Sequence, residues 1–308
     1  MSAGAKATPT AMQSIRDTFL VARYHCARAL RTRSALNLCA LFVLCATGMS
    51  VAFRQILKTM ENVASQSLGV PQVDNPGTMF DTLRNQGDLD LMFEGMIGNA
   101  ALVEWAMSLP YMTITWVWGG MGLVPFLAAA VGAEGVAPDL SARTIRFEAM
   151  RTGRLEIVGG RYLGMCLLVL IAITLSVVAP FCVAVFWMAD QPVLLQITSL
   201  LAFVPRLWLW SLPFVALGLS CSCLVQNVNW ARLGSTIATV FTWVASSLNA
   251  YFGDDATWST LLGLLLPQGW LGDLWGPGFG WTVGGMVLGA IGVAFVVPGY
   301  FFLQRRDL

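Results

Sequence analysis

Between Glu134 and Arg161 the chain reads EGVAPDLSARTIRFEAMRTGRLEIVGGR. This polar interval lies between two apolar runs, each long enough to cross a bilayer. Arg143, Arg146, Arg151, Arg154 and Arg161 interleave here with Asp139, Glu148 and Glu156. An arginine at the bilayer centre costs roughly 2.5–3.5 kcal/mol even on insertion scales, so all five lie in water, and their sign puts that water on the cytoplasmic side. Within the interval, Pro138-Asp-Leu-Ser141 offers a helix start, Thr144 to Met150 a short helix, and Gly153 a stop before the next apolar run.

Composition agrees with a membrane setting. Of 308 residues, 56% are apolar and 11% charged, about half the charged share of soluble domains, and the mean hydropathy is +0.68. The expected class is all-α: a polytopic membrane protein with six transmembrane helices, an N-terminal interfacial amphipathic helix and extracytoplasmic surface helices. The seven cysteines lie in or beside apolar runs and read as packing residues rather than a disulfide framework.

In chain order, residues 1–13 read as a loose cytoplasmic tail. Residues 14–34 form a basic amphipathic helix, with Ile15, Phe19, Val21, Tyr24, Ala27 and Leu30 on one face and Arg16, Arg23, Arg28 and Arg31 supplying charge. These arginines either orient the chain and bind anionic lipid or contact a partner. The remainder, 35–308, reads as the six-span domain, with spans at about 35–53, 111–131, 162–188, 207–225, 233–252 and 281–303. The long outer loop 54–109 is acid-rich, and its breakers leave Ile56 to Leu68 and Leu89 to Met107 as two short surface helices. Arg206 reads as an anchor at the outer end of the fourth span, beside Trp208 and Trp210. The interrupted stretch 256–280 is too short to span and reads as re-entrant or surface-lying. Of 18 Lys and Arg, four (Arg54, Lys58, Arg84 and Arg206) fall outside on this map and fourteen inside, which puts both termini in the cytoplasm of a cell with the chain in its inner (plasma) membrane.

The fifth span carries Ser235, Thr239, Thr242, Ser246 and Asn249 at steps of four, three, four and three, so all share one helical face. That stripe is either helix packing through small polar residues or the lining of a path or subunit seam. No motif for an enzyme accompanies it: there is no phosphate-cradling Gly-x-x-x-x-Gly-Lys-Ser/Thr, no His-Glu-x-x-His and no Gly-x-Ser-x-Gly. The single histidine, His25, cannot supply a metal cage. With spans nearly free of charge, energy for any transport is expected to enter from elsewhere.

The layout of basic helix, first span, and second span followed by Glu134, Asp139-Leu-Ser-Ala-Arg143-Thr144, Arg151-Thr-Gly-Arg154-Leu-Glu156 and Gly160-Arg161 resembles the permease subunit of type-2 ATP-binding-cassette exporters. The closing Arg305-Arg306-Asp307-Leu308 does too. In that family the loop carries an acid, Gly-Thr, a short helix, Pro-Val-Ser-Arg, an acid and Gly-Lys. Thr144, Arg154, Glu156 and Gly160-Arg161 align with it, whereas Arg143 stands where the family has Gly, Arg151-Thr-Gly153 where it has Pro-Val-Ser and Arg161 where it has Lys. The resemblance implies a permease that pairs with a second copy of itself and with two copies of a cytoplasmic ATPase, which would hold ATP and Mg while this chain holds no cofactor or metal. It implies that Glu134, Asp139, Arg143, Thr144, Arg151, Arg154, Glu156 and Arg161 dock that ATPase. No nucleic-acid partner is expected. Two alternatives stay open: an ATPase-coupled subunit that moves an extracytoplasmic client protein without transport, and an ion-coupled secondary carrier.

Overall fold

The computed structural model describes residues 11–31, 33–68, 76–77, 105, 108–188, 192–252, 257–276 and 278–306. Among these, every regular element is a helix. α1 (Ala11–Arg31) leads into α2 (Arg33–Leu68), then α3 (Tyr111–Ala133) and two short helices, α4 (Ala137–Ser141) and α5 (Ile145–Arg151). α6 (Arg154–Ser176), α7 (Val178–Trp187), α8 (Val193–Leu224) and α9 (Val228–Phe252) follow. α10 (Thr257–Leu265), a 3-10 turn (Pro267–Trp270), α11 (Leu271–Trp275) and α12 (Gly280–Arg305) close the chain.

Five segments are long and apolar enough to cross a membrane: Ala35–Val63, Tyr111–Ser141, Arg154–Trp187, Val193–Leu224 and Gly280–Arg305. The chain is a helical, multi-pass membrane protein. α9, the expected fifth span, has 25 residues and so a length of about 37 Å. Its hydroxyl-bearing residues lower its apolarity, and it is not among the five.

α8 is the centre of the bundle and packs against α3, α6, α9 and α12. Its contact with α3 is made through glycine. A Cβ on Gly132 would lie 2.2 Å from the Val215 carbonyl oxygen, and one on Gly218 2.1 Å from that of Ala129. The two backbones therefore touch, the arrangement that membrane helices use when dispersion rather than water drives association. Two to three turns farther along the same pair of helices, Trp210 is wholly buried and donates from Nε1 to the Met121 carbonyl at 3.0 Å.

Three of the boundaries that differ from the sequence reading bear on the site. The first span and the surface helix at 56–68 are one helix, α2, of 36 residues, because no glycine or proline interrupts Val51 to Gln66. α6 starts at Arg154, eight residues before the expected third span: α5 has ended at Arg151, Thr152 is its C-cap, and Gly153, in extended conformation, is the N-cap of α6. α8 starts at Val193 rather than near residue 207, running through Pro205 and Pro213. Proline inside a membrane helix is tolerated where neighbours satisfy the freed groups. The second surface helix, expected at Leu89 to Met107, lies almost wholly outside the described residues.

The third change relocates Arg206. It lies well inside α8 and is 7% exposed, with its guanidinium carbon 4.7 Å from the Phe203 ring centre, 5.3 Å from Trp105 and 5.7 Å from Trp281. An end-of-span anchor reaching for headgroups is therefore not what the fold makes of it. Aromatic faces hold the cation instead.

The stretch 257–275 turns back on itself and enters the bundle. A Cβ on Gly269 would lie 2.0 Å from the Gly263 carbonyl oxygen, so the return is too tight for any side chain there. Gln268 donates from Nε2 to Thr242 Oγ1 at 2.9 Å, near the middle of α9, and Trp275 donates to the Met121 sulfur near the middle of α3.

Candidate docking face at the basic end of the bundle

One end of the bundle gathers α1, α4, α5, the start of α6 and the ends of α8, α9 and α12. Its centre is Arg161, two turns into α6 and 2% exposed. Arg161 Nη1 lies 2.7 Å from Asp139 Oδ2 and donates to the Gly135 carbonyl at 2.6 Å, while Nη2 lies 2.6 Å from Glu148 Oε2. One guanidinium thus ties α4 and α5 to α6. Arg28 of α1 adds a longer contact of 3.4 Å to Asp139 Oδ1, which also accepts from Thr144 Oγ1 at 3.1 Å. Burial opposes ionisation of Asp139, but Arg161, Arg28 and the Thr144 hydroxyl outweigh it and hold the carboxyl below its ordinary range.

α4 is fixed from a second side. Ser222 Oγ of α8 accepts from the backbone N–H groups of Val136 and Ala137, at 2.8 and 2.7 Å. A hydroxyl from a distant helix thereby caps the start of α4, where no local side chain does so.

The residues expected to dock a partner separate into two sets. Asp139, Glu156 and Arg161 are buried. Glu156 accepts from Ser14 Oγ at 2.6 Å and so holds α1, and Glu134 pairs with Arg232 at the start of α9. Arg154 donates to the Leu303 and Gln304 carbonyls at the end of α12, satisfying groups that a helix end leaves open. Arg306 does the same for Leu224 of α8. These side chains hold the end of the bundle together.

Arg143, Thr144 and Arg151 face outward. Phe147 and Met150, three apart on α5 and so on one face, are 68% and 65% exposed, and Leu155 is 59% exposed. Arg146 is exposed among them. Arg143 takes a left-handed φ of 58°, the region that favours glycine, at the turn between α4 and α5. The apolar pair Phe147 and Met150 was not anticipated, although its spacing was readable in IRFEAMR.

α1 also packs differently from expectation. The face read as apolar is largely turned outward, with Ile15, Phe19 and Tyr24 at 59%, 63% and 65% exposure. Val21 of that face, with Thr18, Ala22 and His25, lies on α6 at Gly160 and Gly164. A Cβ on Gly160 would come within 2.6 Å of Val21 Cβ and 2.7 Å of the Thr18 carbonyl oxygen, and one on Gly164 within 3.0 Å of the Ala22 carbonyl oxygen. The missed signal was the Gly-x-x-x-Gly spacing of these two residues. Arg16, Arg23, Arg28 and Arg31 are all exposed. His25 lies against Gly164, and burial, with help from Arg161, pushes its pKa down to about 4.

The hydroxyl stripe of α9 faces inward. Ser235 and Thr239 are fully buried and Thr242 is 6% exposed, and their hydroxyls return to carbonyls of their own helix. Ser246 and Asn249 are half-buried, and Asn249 Nδ2 reaches the Ser259 carbonyl at 3.1 Å. This is the geometry of helix packing. The outer side of α9 is apolar instead, with Ile237 and Phe241 60% and 69% exposed.

No known protein family matches the chain, and no curated protein matches it.

Proposed function

We propose that this chain is the membrane subunit of an ATP-binding-cassette transporter, a six-span permease that pairs with itself and is driven by two copies of a separate cytoplasmic ATPase. On this reading the basic end is cytoplasmic and α9 crosses as well, fifth in chain order, which brings the crossings to six. The observation that carries it is the division of the loop 134–161 into a bolted inner side and an exposed outer side. Phe147 and Met150 project among Arg143, Arg146 and Arg151, while Arg161 anchors the same short helix to α4 and α6. A surface that must both grip a moving partner and pass its motion to spans needs that pairing of exposure with rigid attachment. Arg143 adds support, because its left-handed backbone falls where the resembled family has glycine.

The test is to isolate the chain from its native membrane in mild detergent and measure the ATP hydrolysis that accompanies it. The double variant Phe147→Ser, Arg151→Glu should insert normally and lose at least tenfold of that hydrolysis. Equal hydrolysis in both preparations, or none with the wild type, would sink the reading. Arg154 is unsuited to this test, since it closes the end of α12.

One observation favours the secondary carrier as a second reading. Arg206 is a buried cation within a crossing helix whose Nε and Nη1 find no acceptor among the described residues, as an anion-coupled site would require. Uptake into vesicles that follows an anion gradient without ATP would select it.

A further inference from the structure

A cavity of about 690 Å³ opens at the basic end, between α1, α2, α3, α4, α6 and α9. Leu38 and Leu41 of α2, Leu127 and Val131 of α3 and Leu168 of α6 form an apolar wall. The rest of the lining includes Arg28, Glu134, Asp139 and Arg232. These four already form two ion pairs, Arg28 with Asp139 and Arg232 with Glu134, in which the arginine side chains are 51% and 47% exposed. The cations can therefore reach a ligand without leaving the protein surface.

On α2 the lining sets Asn37 beside Leu38 and within one helical turn, about 6 Å, of Leu41, so polar and apolar groups meet in one cavity. A wholly polar solute would leave the leucines in water, and a wholly apolar one would strip water from the ion pairs without replacing it. An amphiphile satisfies both. With two cations and two carboxylates, this group carries no net charge, which favours a headgroup that is itself zwitterionic.

We propose that this cavity binds one phospholipid of the phosphatidylethanolamine class from the adjoining leaflet. The phosphate accepts from Arg28 and Arg232, and the primary ammonium donates to Glu134 and Asp139. The first part of an acyl chain runs along Leu41, Leu127 and Leu168. The remainder leaves sideways past Leu41, which is 44% exposed, toward Leu44 at 67%. Phosphatidylglycerol offers the arginines a phosphate but gives the carboxylates no cation. Phosphatidylcholine has a cation that cannot donate a hydrogen bond. The inference depends on the helices crossing a bilayer and is independent of a docked ATPase.

The experiment uses the full chain in detergent, incubated with mixed micelles containing phosphatidylethanolamine, phosphatidylglycerol or phosphatidylcholine. After washing, retained lipid is counted by native mass spectrometry and phosphorus assay. The expected result is one phosphatidylethanolamine per chain, retained at least tenfold over phosphatidylglycerol. Leu41→Trp and Leu127→Trp, which fill the cavity from different walls, and Arg28→Gln should each lower retention at least tenfold at unchanged elution volume. Retention that survives both tryptophans puts the lipid elsewhere on the apolar surface and overturns the proposal. Preference for phosphatidylglycerol, or no retained lipid in the wild type, overturns it as well. If Leu127→Trp does not fold, Leu41→Trp, on the half-open wall, decides.

Discussion

Arg161 and Asp139 meet at 2.7 Å with almost no exposure on either side, and this contact holds a short loop helix to the body of a crossing helix. Because Arg161 also carries Glu148, its loss leaves two carboxylates without the cation they share. Breaking a buried pair from one side costs about 3–5 kcal/mol. Arg161→Met should therefore lower the denaturation midpoint in detergent sharply, and adding Asp139→Asn should recover part of the loss. An unchanged midpoint for the single variant would show that the pair contributes nothing to stability.

Gly160 is the point at which α1 touches α6, with room for hydrogen only. Gly160→Leu should release α1 while leaving the crossing helices intact. Hydrogen exchange would show it: faster exchange over Ala11–Arg31, with α8 unaffected. Uniform protection across both would mean that another contact holds α1.

Acid should loosen the same contact. His25 has a native pKa near 4 against 6.5 when unfolded, so between these values the unfolded chain binds a proton that the folded chain does not. Stability is complete above pH 6.5 and falls as pH drops toward 4, by up to about 3 kcal/mol for a shift of this size. Arg161, Asp139, Arg28 and Glu134 are the charges that His25 faces. The depressed Asp139 carboxyl adds a further loss only below its ordinary value of 3.8. His25→Gln should flatten the upper part of the profile, measured as unfolding midpoint against pH, and leave the lower part.

Arg143 occupies a left-handed turn at a cost of about 1–2 kcal/mol for a residue with a Cβ. Arg143→Gly should raise the unfolding midpoint by a comparable amount. If the arginine also meets a partner, the same variant would be more stable and bind less. A lower midpoint would mean that the Arg143 side chain stabilises the turn by more than its backbone costs.

Arg206 offers the opposite case. Its Nε and Nη1 have no acceptor among the described residues, and the rings of Trp105, Phe203 and Trp281 lie against the guanidinium. Removing a desolvated charge in favour of a well-packed apolar chain is often neutral or stabilising. Arg206→Met should keep or raise the thermal midpoint. A large fall would reveal an acceptor that the described residues do not include.

The apolar runs, the helical class and the punctuation of the loop were legible in the sequence because each is set locally. Hydropathy is a property of contiguous residues, and Pro138 and Gly153 act on their own backbone. Pro138 accordingly lies in the first turn of α4 and Gly153 immediately before α6. The continuity of α8 through Pro205 was not legible, nor was the burial of Arg206 that follows from it, because partners on other helices offset what proline removes.

The direction of each charged side chain was equally hidden. Arg151, Arg154 and Arg161 lie within ten positions of one another and read alike. Yet the first is exposed, the second closes a helix end 149 residues away, and the third is buried between two carboxylates. The sequence by itself determined that an arginine-rich polar interval separates two long apolar runs, since hydropathy depends on residue type. Only the tertiary structure decided which of these arginines remain available to another molecule, since that depends on partners brought close by the packing of distant helices.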